Sequence, residues 1–464
     1  MNRAWTTAVA LAAAGILTAT AACSGAASKP AASAASGSAT TTGTTTAALP
    51  ATPPGAQARW LLGALAHLPI PAAELTAHFD QVFLTKVPPA QLNATLAHVA
   101  NVRLNAVALS TSEFVLLNAT VNGQPQTVSV DVDAHGLING VGLAPAPPQP
   151  APPVPVTWAA ADKQIEQAAP QVRLLVASVS GGACRPIQAI GATTPAPLGS
   201  AFKLYVLDAL ARAIAAGTVS WDQRITVTSQ LKSLPSGELT LELDGTQVTV
   251  LQAAEDMISA SDNTAANLLI NLVGRAAVEA ATAGTGMADP ALDTPFLTTR
   301  ELFVLKLDDW PSLANRYLAL NSAGRLAFLT STVDRAPLPA LTAAASWTAP
   351  RDIGSLEWFA SPADICKVYA SLVALARQPG LAPVASILEI NDGGIGLDPR
   401  QWQSVWFKGG SEPGVVTLNY LATTRGGQTY MVSVLTANPT APIPAAATAP
   451  LLGAIKGAFT LAAR

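Results

Sequence analysis

The chain has 464 residues, 50% hydrophobic and 12% charged, with a formal net charge of -3 at pH 7. That is material for about two or three domains and a sizeable core. With no run of Lys and Arg there is no electrostatic ground for a nucleic-acid partner, and none is expected.

The N-terminus runs Met1-Asn2-Arg3, then an Ala-rich apolar stretch from Ala4 to Ala22, then Cys23. A short positive region, a hydrophobic region and small residues at a cleavage site predict an export leader over 1–22. The Thr20-Ala21-Ala22-Cys23-Ser24-Gly25 pattern resembles a bacterial lipoprotein signal, in which the Cys is lipidated and becomes the mature N-terminus. It implies attachment to the outer face of the cytoplasmic membrane through the lipid at Cys23 only. Thr20 stands where Leu, Val or Ile is usual, so secretion without lipid is the alternative. A membrane span fits less well, because the stretch is barely long enough and rich in Ala and Thr.

Residues 23–54 collapse to Ala, Ser, Thr, Gly and Pro, a composition that buries too little apolar surface to order itself and reads as a tether. Residues 55–142 read as a first folded unit. Apolar periodicity predicts helices through Trp60 to Leu68, through Leu75 to Phe83 and over 89–99. Strands follow at 112–120, 125–132 and 137–143, with Asn122-Gly123 and His135-Gly136 as turns between them. The Pro-rich segment 143–156 predicts a stiff, extended boundary.

The remainder, 157–464, begins with a predicted helix over 159–168, a strand over 172–178, a turn at Gly181-Gly182 and a return segment over 185–192. It ends with strands at 415–424 and 429–436 and a helix over 446–463, and is mostly helical in between. An antiparallel sheet built from both ends of the sequence, with a helical insertion, is an α+β arrangement. Besides Cys23 only Cys184 and Cys366 are present, so one bridge at most is available; a bond and two partly buried thiols are equally open.

All four histidines, His67, His78, His98 and His135, fall in the first unit. No Ser-His-Asp triad and no histidine zinc site can therefore form within 157–464, and neither metal nor cofactor is expected. Acyl-transfer chemistry there needs another base, and lysine is the next candidate. Ser200 and Lys203, in Pro-Leu-Gly-Ser-Ala-Phe-Lys, sit at the start of an apolar helix, where a spacing of three puts them on one face. An unperturbed lysine, pKa about 10.4, is protonated at neutral pH, so burial or a second cation must lower it. Ser261-Asp262-Asn263 falls in a break between helical segments. Phe407-Lys408-Gly409-Gly410-Ser411 falls on or beside a strand, where Lys408 can hold a carboxylate and depress Lys203, and the glycines permit close approach of substrate. In isolation each has an ordinary reading, as helix caps or a Gly-rich turn.

Together, in this order and these contexts, they resemble the Ser-x-x-Lys, Ser-Asp-Asn and Lys-Thr-Gly signature of class A β-lactamases and penicillin-binding proteins. The resemblance implies a two-lobed fold with the nucleophile between an antiparallel sheet and a helical lobe. It implies Ser200 as nucleophile, Lys203 as its base and Ser261 as proton relay. Asn263 would bind the substrate's amide, and Lys408, Gly410 and Ser411 its carboxylate and carbonyl. The backbone N–H groups of Ser200 and Ser411 would form the oxyanion hole. Two departures stand out. Gly409 replaces the usual Thr or Ser, and no Glu-x-x-x-Asn deacylation motif follows: Glu301 lies near the family distance but Leu305 stands where Asn belongs, and Glu357 lies too far along the chain.

With the first unit included, the stretches FDQVFLTKVPPAQL, APLGSAFKLYVLDAL, LTTRELFVLKL and FKGGSEPGV resemble a narrower family. It comprises the β-lactamase-like protein of the clavulanic acid cluster and its exported actinobacterial relatives. That resemblance implies a first domain of the steroid-isomerase and cyclase (NTF2-like) type, weak β-lactam hydrolysis and some ester cleavage on small-molecule substrates. A D,D-peptidase acting on cell-wall peptides and a binding protein that captures a β-lactam or wall fragment without turnover are the competing readings.

Overall fold

The structure, a computed structural model, describes residues 49, 52–99, 102–110, 114–133, 135–145, 153–234, 236–444 and 447–464. The expected leader 1–22, Cys23, most of the 23–54 tether and residues 146–152 of the Pro-rich segment lie outside the described residues. Among the described residues no helix is long and apolar enough to cross a membrane. They divide into two compact units, one up to residue 145 and one from residue 153.

In the first unit, helices α1 (Pro53–Ala64), α2 (Ala72–His78), α3 (Gln81–Lys86) and α4 (Pro89–Leu96) precede an antiparallel meander. Its strands are β1 (Arg103–Ser110), β2 (Phe114–Val121), β3 (Gln124–Val132) and β4 (Ile138–Pro145). The apolar run expected as one helix through Phe83 is two helices. Asp80 caps a new start by accepting from Phe83 N, and its own N–H donates to Ile138 O, so the break is docked onto β4. Strand β1 was not anticipated, because Asn, Ala and Ser outnumber β-branched residues in its sequence. Alternate residues Val115, Leu117, Ala119 and Val121 of β2 face Leu61, Leu75, Phe79 and Leu92 of the helices in one core. An apolar hollow of about 30 Å³ remains beside Leu61, Leu96, Val128 and Val141. It has the size of a single water but offers no polar partner.

The second unit is built on a five-stranded antiparallel sheet of β5 (Gln171–Ser180), β6 (Ala183–Ile190), β11 (Trp402–Glu412), β12 (Val415–Thr424) and β13 (Thr429–Ala437), in the order β11-β12-β13-β5-β6. Both ends of this segment thus supply the sheet, as its apolar runs predict. Alternation sorts the side chains: Leu174 and Val176 of β5, Tyr420 and Ala422 of β12 and Val432 and Val434 of β13 pack with α5 (Trp158–Glu166) and α16 (Thr448–Ala462). Leu175, Ala177, Leu421, Met431 and Leu435 face the helical lobe instead. On β11 Trp406 belongs to the lobe-facing set, so Lys408, Gly410 and Glu412, at steps of two, share that face.

The lobe between β6 and β11 centres on α6 (Lys203–Ala215), buried without interruption from Lys203 to Ala211. Around it are α7 (Val250–Ser259), α8 (Asn263–Val273), α9 (Arg275–Gly284), α10 (Thr299–Leu307) and the short α11 (Ser312–Leu318), α12 (Ser322–Phe328) and α13 (Leu341–Ser346). Helices α14 (Pro362–Ala376) and α15 (Pro383–Leu388) complete it. Strand β7 (Ala196–Pro197) pairs with β10 (Phe359–Ala360), and β8 (Arg224–Thr226) with β9 (Gln247–Thr249).

Cys184 on β6 and Cys366 on α14 form a disulfide, Cα–Cα 6.3 Å, across a sequence separation of 182. It ties the sheet's far edge to the lobe and closes most of the lobe into one loop. Replacing both cysteines by Ala is expected to lower the unfolding free energy of this unit by about 2–5 kcal/mol through the freer unfolded chain. Denaturant unfolding followed by tryptophan fluorescence, with an unchanged midpoint counting against it, checks this.

Candidate active site

The segment entering α6 fixes the nucleophile. Leu198 N donates to Trp358 O at 2.9 Å, extending the β7–β10 pairing, and Gly199 then turns with φ +51° into a 3-10 turn over Gly199–Phe202 that carries Ser200. Phe202 anchors the turn, stacked on Trp358 at 3.7 Å and edge-on to Phe296 at 5.9 Å. Ser261 sits between α7 and α8 with φ +56°, a conformation rare outside glycine. Its carbonyl accepts from the hydroxyl of Ser236 and from Lys203 Nζ at 2.6 Å, which holds the residue there. Asp262 caps α8, accepting from Ala265 N at 2.8 Å and Leu239 N at 2.9 Å. The cap is so tight that a Cβ on Gly237 would fall 2.0 Å from its carboxylate.

These elements bring the expected residues together. Lys203 Nζ lies 3.2 Å from Ser200 Oγ, 2.7 Å from Asn263 Oδ1 and 3.2 Å from Ser261 Oγ. Lys408 Nζ lies 2.9 Å from the same Ser261 hydroxyl and 2.9 Å from Gly409 O. Ser261 Oγ is therefore suspended between two amines. Lys203 is 0% and Lys408 3% exposed, and neither has a carboxylate at ion-pair distance among the described residues.

Four oxygen atoms surround Lys203 Nζ: Ser261 O and Asn263 Oδ1 are the closest, and the hydroxyls of Ser200 and Ser261 lie farther out. Burial drives the Lys203 pKa well below the ordinary lysine value, and the charge of Lys408 lowers it further, while Asp262 opposes both. Burial also pushes Lys408 down, to about 7.

The glycines around the nucleophile turn are also fixed by close packing. A Cβ on Gly410 would lie 2.1 Å from Leu198 O and 2.6 Å from Ser200 N, and one on Gly199 2.8 Å from Ser411 N. They allow β11 to press its backbone against the nucleophile turn, bringing the Ser200 and Ser411 amide segments side by side. Thr417 Oγ1 on β12 reinforces the joint by donating to Leu198 O at 2.8 Å. A Cβ on Gly409 would meet Phe407 Cζ at 2.9 Å and Thr417 O at 3.0 Å, and Phe407 is itself packed on Tyr420 at 4.7 Å. The hydroxyl side chain usual in this motif has no room here.

Asn263 is engaged at both ends, its Nδ2 donating to Leu234 O at 3.0 Å, so it orients Lys203 as well as facing the site. Glu301 is locked: 1% exposed, it pairs with Arg275 through Oε1 at 2.5 Å and completes the capping box of α10 with Thr298. Glu357, judged too distant along the chain, is the carboxylate that reaches the nucleophile turn, its Oε2 accepting from Gly199 N at 3.1 Å and Trp358 N at 3.0 Å. Ser236, Thr417, Lys306 and Glu412 were not anticipated, and Glu357 was weighed only for the deacylation motif. A lone Lys in the apolar run of α10 and a Glu directly after Ser411 were the only signals, and neither indicates a partner.

In the first unit no comparable constellation exists among the described residues. His78 stacks on Trp60 at 3.8 Å with Nδ1 2.8 Å from Gln57 Oε1, and His67 lies 3.6 Å from Glu74. No histidine lines the hollow.

Residues 159–356 match the model of the beta-lactamase enzyme family, a stretch that holds Ser200, Lys203, Ser261 and Asn263. Residues 49–138 match the family of the ORF 12 gene product N-terminal region. Among solved structures, a beta-lactamase from Sphaerobacter thermophilus DSM 20745 is 23% identical, covering 66% of this chain and 98% of its own, with TM-score 0.47. A beta-lactamase from Chitinophaga pinensis DSM 2588 is 18% identical over 66% and 98%, TM-score 0.44. The class A beta-lactamase of the last common ancestor of Gram-negative bacteria is 19% identical over 66% and 98%, TM-score 0.46. No curated protein matches the chain. The second unit is thus β-lactamase-like in its family match and in its two lobes, a sheet and a set of helices, with Ser200 at their junction.

Replacing Lys408 by Met removes the cation that disfavours protonated Lys203, so the Lys203 pKa rises. The acid limb of Ser200 labelling by a serine-directed reagent then moves to higher pH. A rate–pH profile whose limb stays in place or moves down contradicts the coupling.

Proposed function

We propose that the second unit is a serine acyl-hydrolase acting on small-molecule β-lactam-like or ester substrates, with Ser200 as nucleophile. The observation that carries this reading is the buried Lys203 amine, 3.2 Å from Ser200 Oγ and with no carboxylate at ion-pair distance among the described residues. In the acylation step Ser200 Oγ attacks the substrate carbonyl and its proton passes to Lys203. The tetrahedral oxyanion is held by the N–H groups of Ser200 and Ser411, whose segments the glycine packing brings together. As the intermediate collapses, Ser261, bridged to both amines, hands its proton to the departing nitrogen or oxygen and takes in its place the one Lys203 received from Ser200. Lys408 and Ser411 face the substrate's carboxylate, without help from a hydroxyl at Gly409.

Deacylation in this scheme is slow. Glu301 is committed to Arg275 and to its helix cap, which leaves no obvious carboxylate to activate water from that helix. This favours weak β-lactam hydrolysis with some ester cleavage, and it also favours the second reading, a protein that captures a β-lactam or wall fragment as a long-lived adduct. A D,D-peptidase differs from both only in the peptide it accepts. The paired family matches, 49–138 and then 159–356, support kinship with the β-lactamase-like protein of the clavulanic acid cluster. In the same reading 55–142 is an NTF2-like domain without a catalytic role and 157–464 the hydrolase. Export as a lipoprotein held through Cys23 belongs to this proposal, and the Cys184–Cys366 disulfide is consistent with an oxidising compartment.

An intact-mass time course with an acetoxy-bearing cephalosporin, run beside Ser200→Ala, tests it. Substrate change or a mass adduct is expected with the wild type and is lost in Ser200→Ala. The product mass shows whether ring or ester was cut, and a persistent adduct identifies the capturing protein. Activity unchanged in Ser200→Ala would remove Ser200 from the mechanism.

A further inference from the structure

Behind the nucleophile turn lies a buried charge cluster that the acyl-transfer scheme does not use. Lys306 Nζ, at the end of α10, donates to both carboxylate oxygens of Glu412, at 2.6 and 2.7 Å, and lies 3.7 Å from Glu357 Oε1. The side chains are 0%, 6% and 1% exposed for Lys306, Glu412 and Glu357. Trp347, its ring centroid 5.4 Å from Lys306 Nζ, covers another side, and Arg351 donates to the Lys306 carbonyl at 2.7 Å.

Such a cluster is a poor device for stability. Desolvating three charges costs several kcal/mol each, and apolar replacements of similar volume often do as well or better. Glu357 and Glu412 also stand carboxyl to carboxyl, a further cost when both are charged. What the cluster does possess is position. Glu357 Oε2 holds the N–H of Gly199, the residue before Ser200, and Glu412 is the residue after Ser411. Each carboxylate therefore sits one residue from one of the two amides assigned to the oxyanion, and a single ammonium connects them. Burial raises both carboxyl pKa values, and the charge of Lys306 opposes the rise.

We propose that Glu357, Lys306 and Glu412 form a brace that sets the separation of the Ser200 and Ser411 amides, making Glu357 and Glu412 positioning residues for the oxyanion hole. This rests on the acyl-transfer reading. Glu357 fixes the nucleophile turn, Glu412 fixes the end of β11, and Lys306 makes the two move as one. Preorganised donors of this kind lower the barrier because they need no reorientation as charge develops.

The test uses the full chain and the isosteric variants Glu357→Gln, Glu412→Gln and their combination. Two quantities are measured: the rate constant for acylation by a chromogenic cephalosporin, and the affinity for a phenylboronic acid, whose tetrahedral adduct occupies the oxyanion hole. Each single variant is expected to slow acylation about 10- to 100-fold, a partial loss of what removing one oxyanion donor costs. Boronate affinity should fall by a similar factor, while binding of intact cephalosporin before acylation changes less than about twofold. The double variant should be no worse than the poorer single one, as expected of groups acting as a unit. A merely structural role would lower the melting temperature and leave the boronate affinity of the folded fraction in place; that result overturns the brace, as do single effects that simply multiply. Where Glu357→Gln does not fold, Glu412→Gln carries the same test. If the wild type is neither acylated nor bound by boronate, the acyl-transfer reading itself fails and the brace with it, whereas an acylated wild type beside unaffected variants refutes the brace alone.

Discussion

An amine with no exposure to water and no carboxylate at ion-pair distance cannot easily hold a charge, and Lys203 is such an amine. Much of the second unit can be understood as the means of keeping it there. Its helix is buried through nine consecutive residues, which is why its first residue is too. Its two closest acceptors, Ser261 O and Asn263 Oδ1, come from the break before α8 and from that helix's first turn. That break keeps its shape through the Asp262 cap, the Ser236 hydroxyl and a glycine at 237 that leaves the carboxylate room. The second cation, Lys408, arrives from the opposite side on an edge strand. Its approach adds repulsion that lowers the Lys203 pKa beyond what burial does.

The edge strand imposes the second constraint, which is steric. Strand β11 must come within backbone contact of the turn carrying Ser200 if its Ser411 amide is to lie beside that of Ser200. Two glycines, at 199 and 410, make the approach feasible, because a Cβ on either would collide with the facing backbone, whereas one on Gly409 would meet Phe407 and Thr417 O. The substitution of Gly for Thr at 409 is thus not merely the loss of a hydroxyl. It belongs with Phe407, whose ring fills the space and packs on Tyr420.

The first unit presents a contrast. Its sheet and helices close on an apolar core, with His78 held by Gln57 and His67 beside Glu74. Among the described residues it holds no cluster comparable to that around Lys203. It has a family match of its own, over residues 49–138.

Much of this was legible in the chain itself, because the signals are local. Apolar runs marked β5, β12 and β13, a Pro- and Ala-rich composition suggested a boundary, and three short motifs named Ser200, Lys203, Ser261, Asn263 and Lys408, which the structure links through the Lys203 amine and the Ser261 hydroxyl. The confinement of histidine to the first unit excluded a triad before any geometry was known. What sequence spacing could not supply was pairing across distance. It could not pair Cys184 with Cys366 over 182 residues, and it set Glu357 aside for lying too far from Ser261, although the fold returns it to the residue before Ser200. Nor could it see that Glu301 is spent on Arg275, or that Lys306 joins two carboxylates behind the oxyanion amides. Residue chemistry and local period are properties of neighbours along the chain. Partnership, burial and the pKa values they set depend on which distant segments the packed lobes bring face to face, and only the tertiary structure decides that.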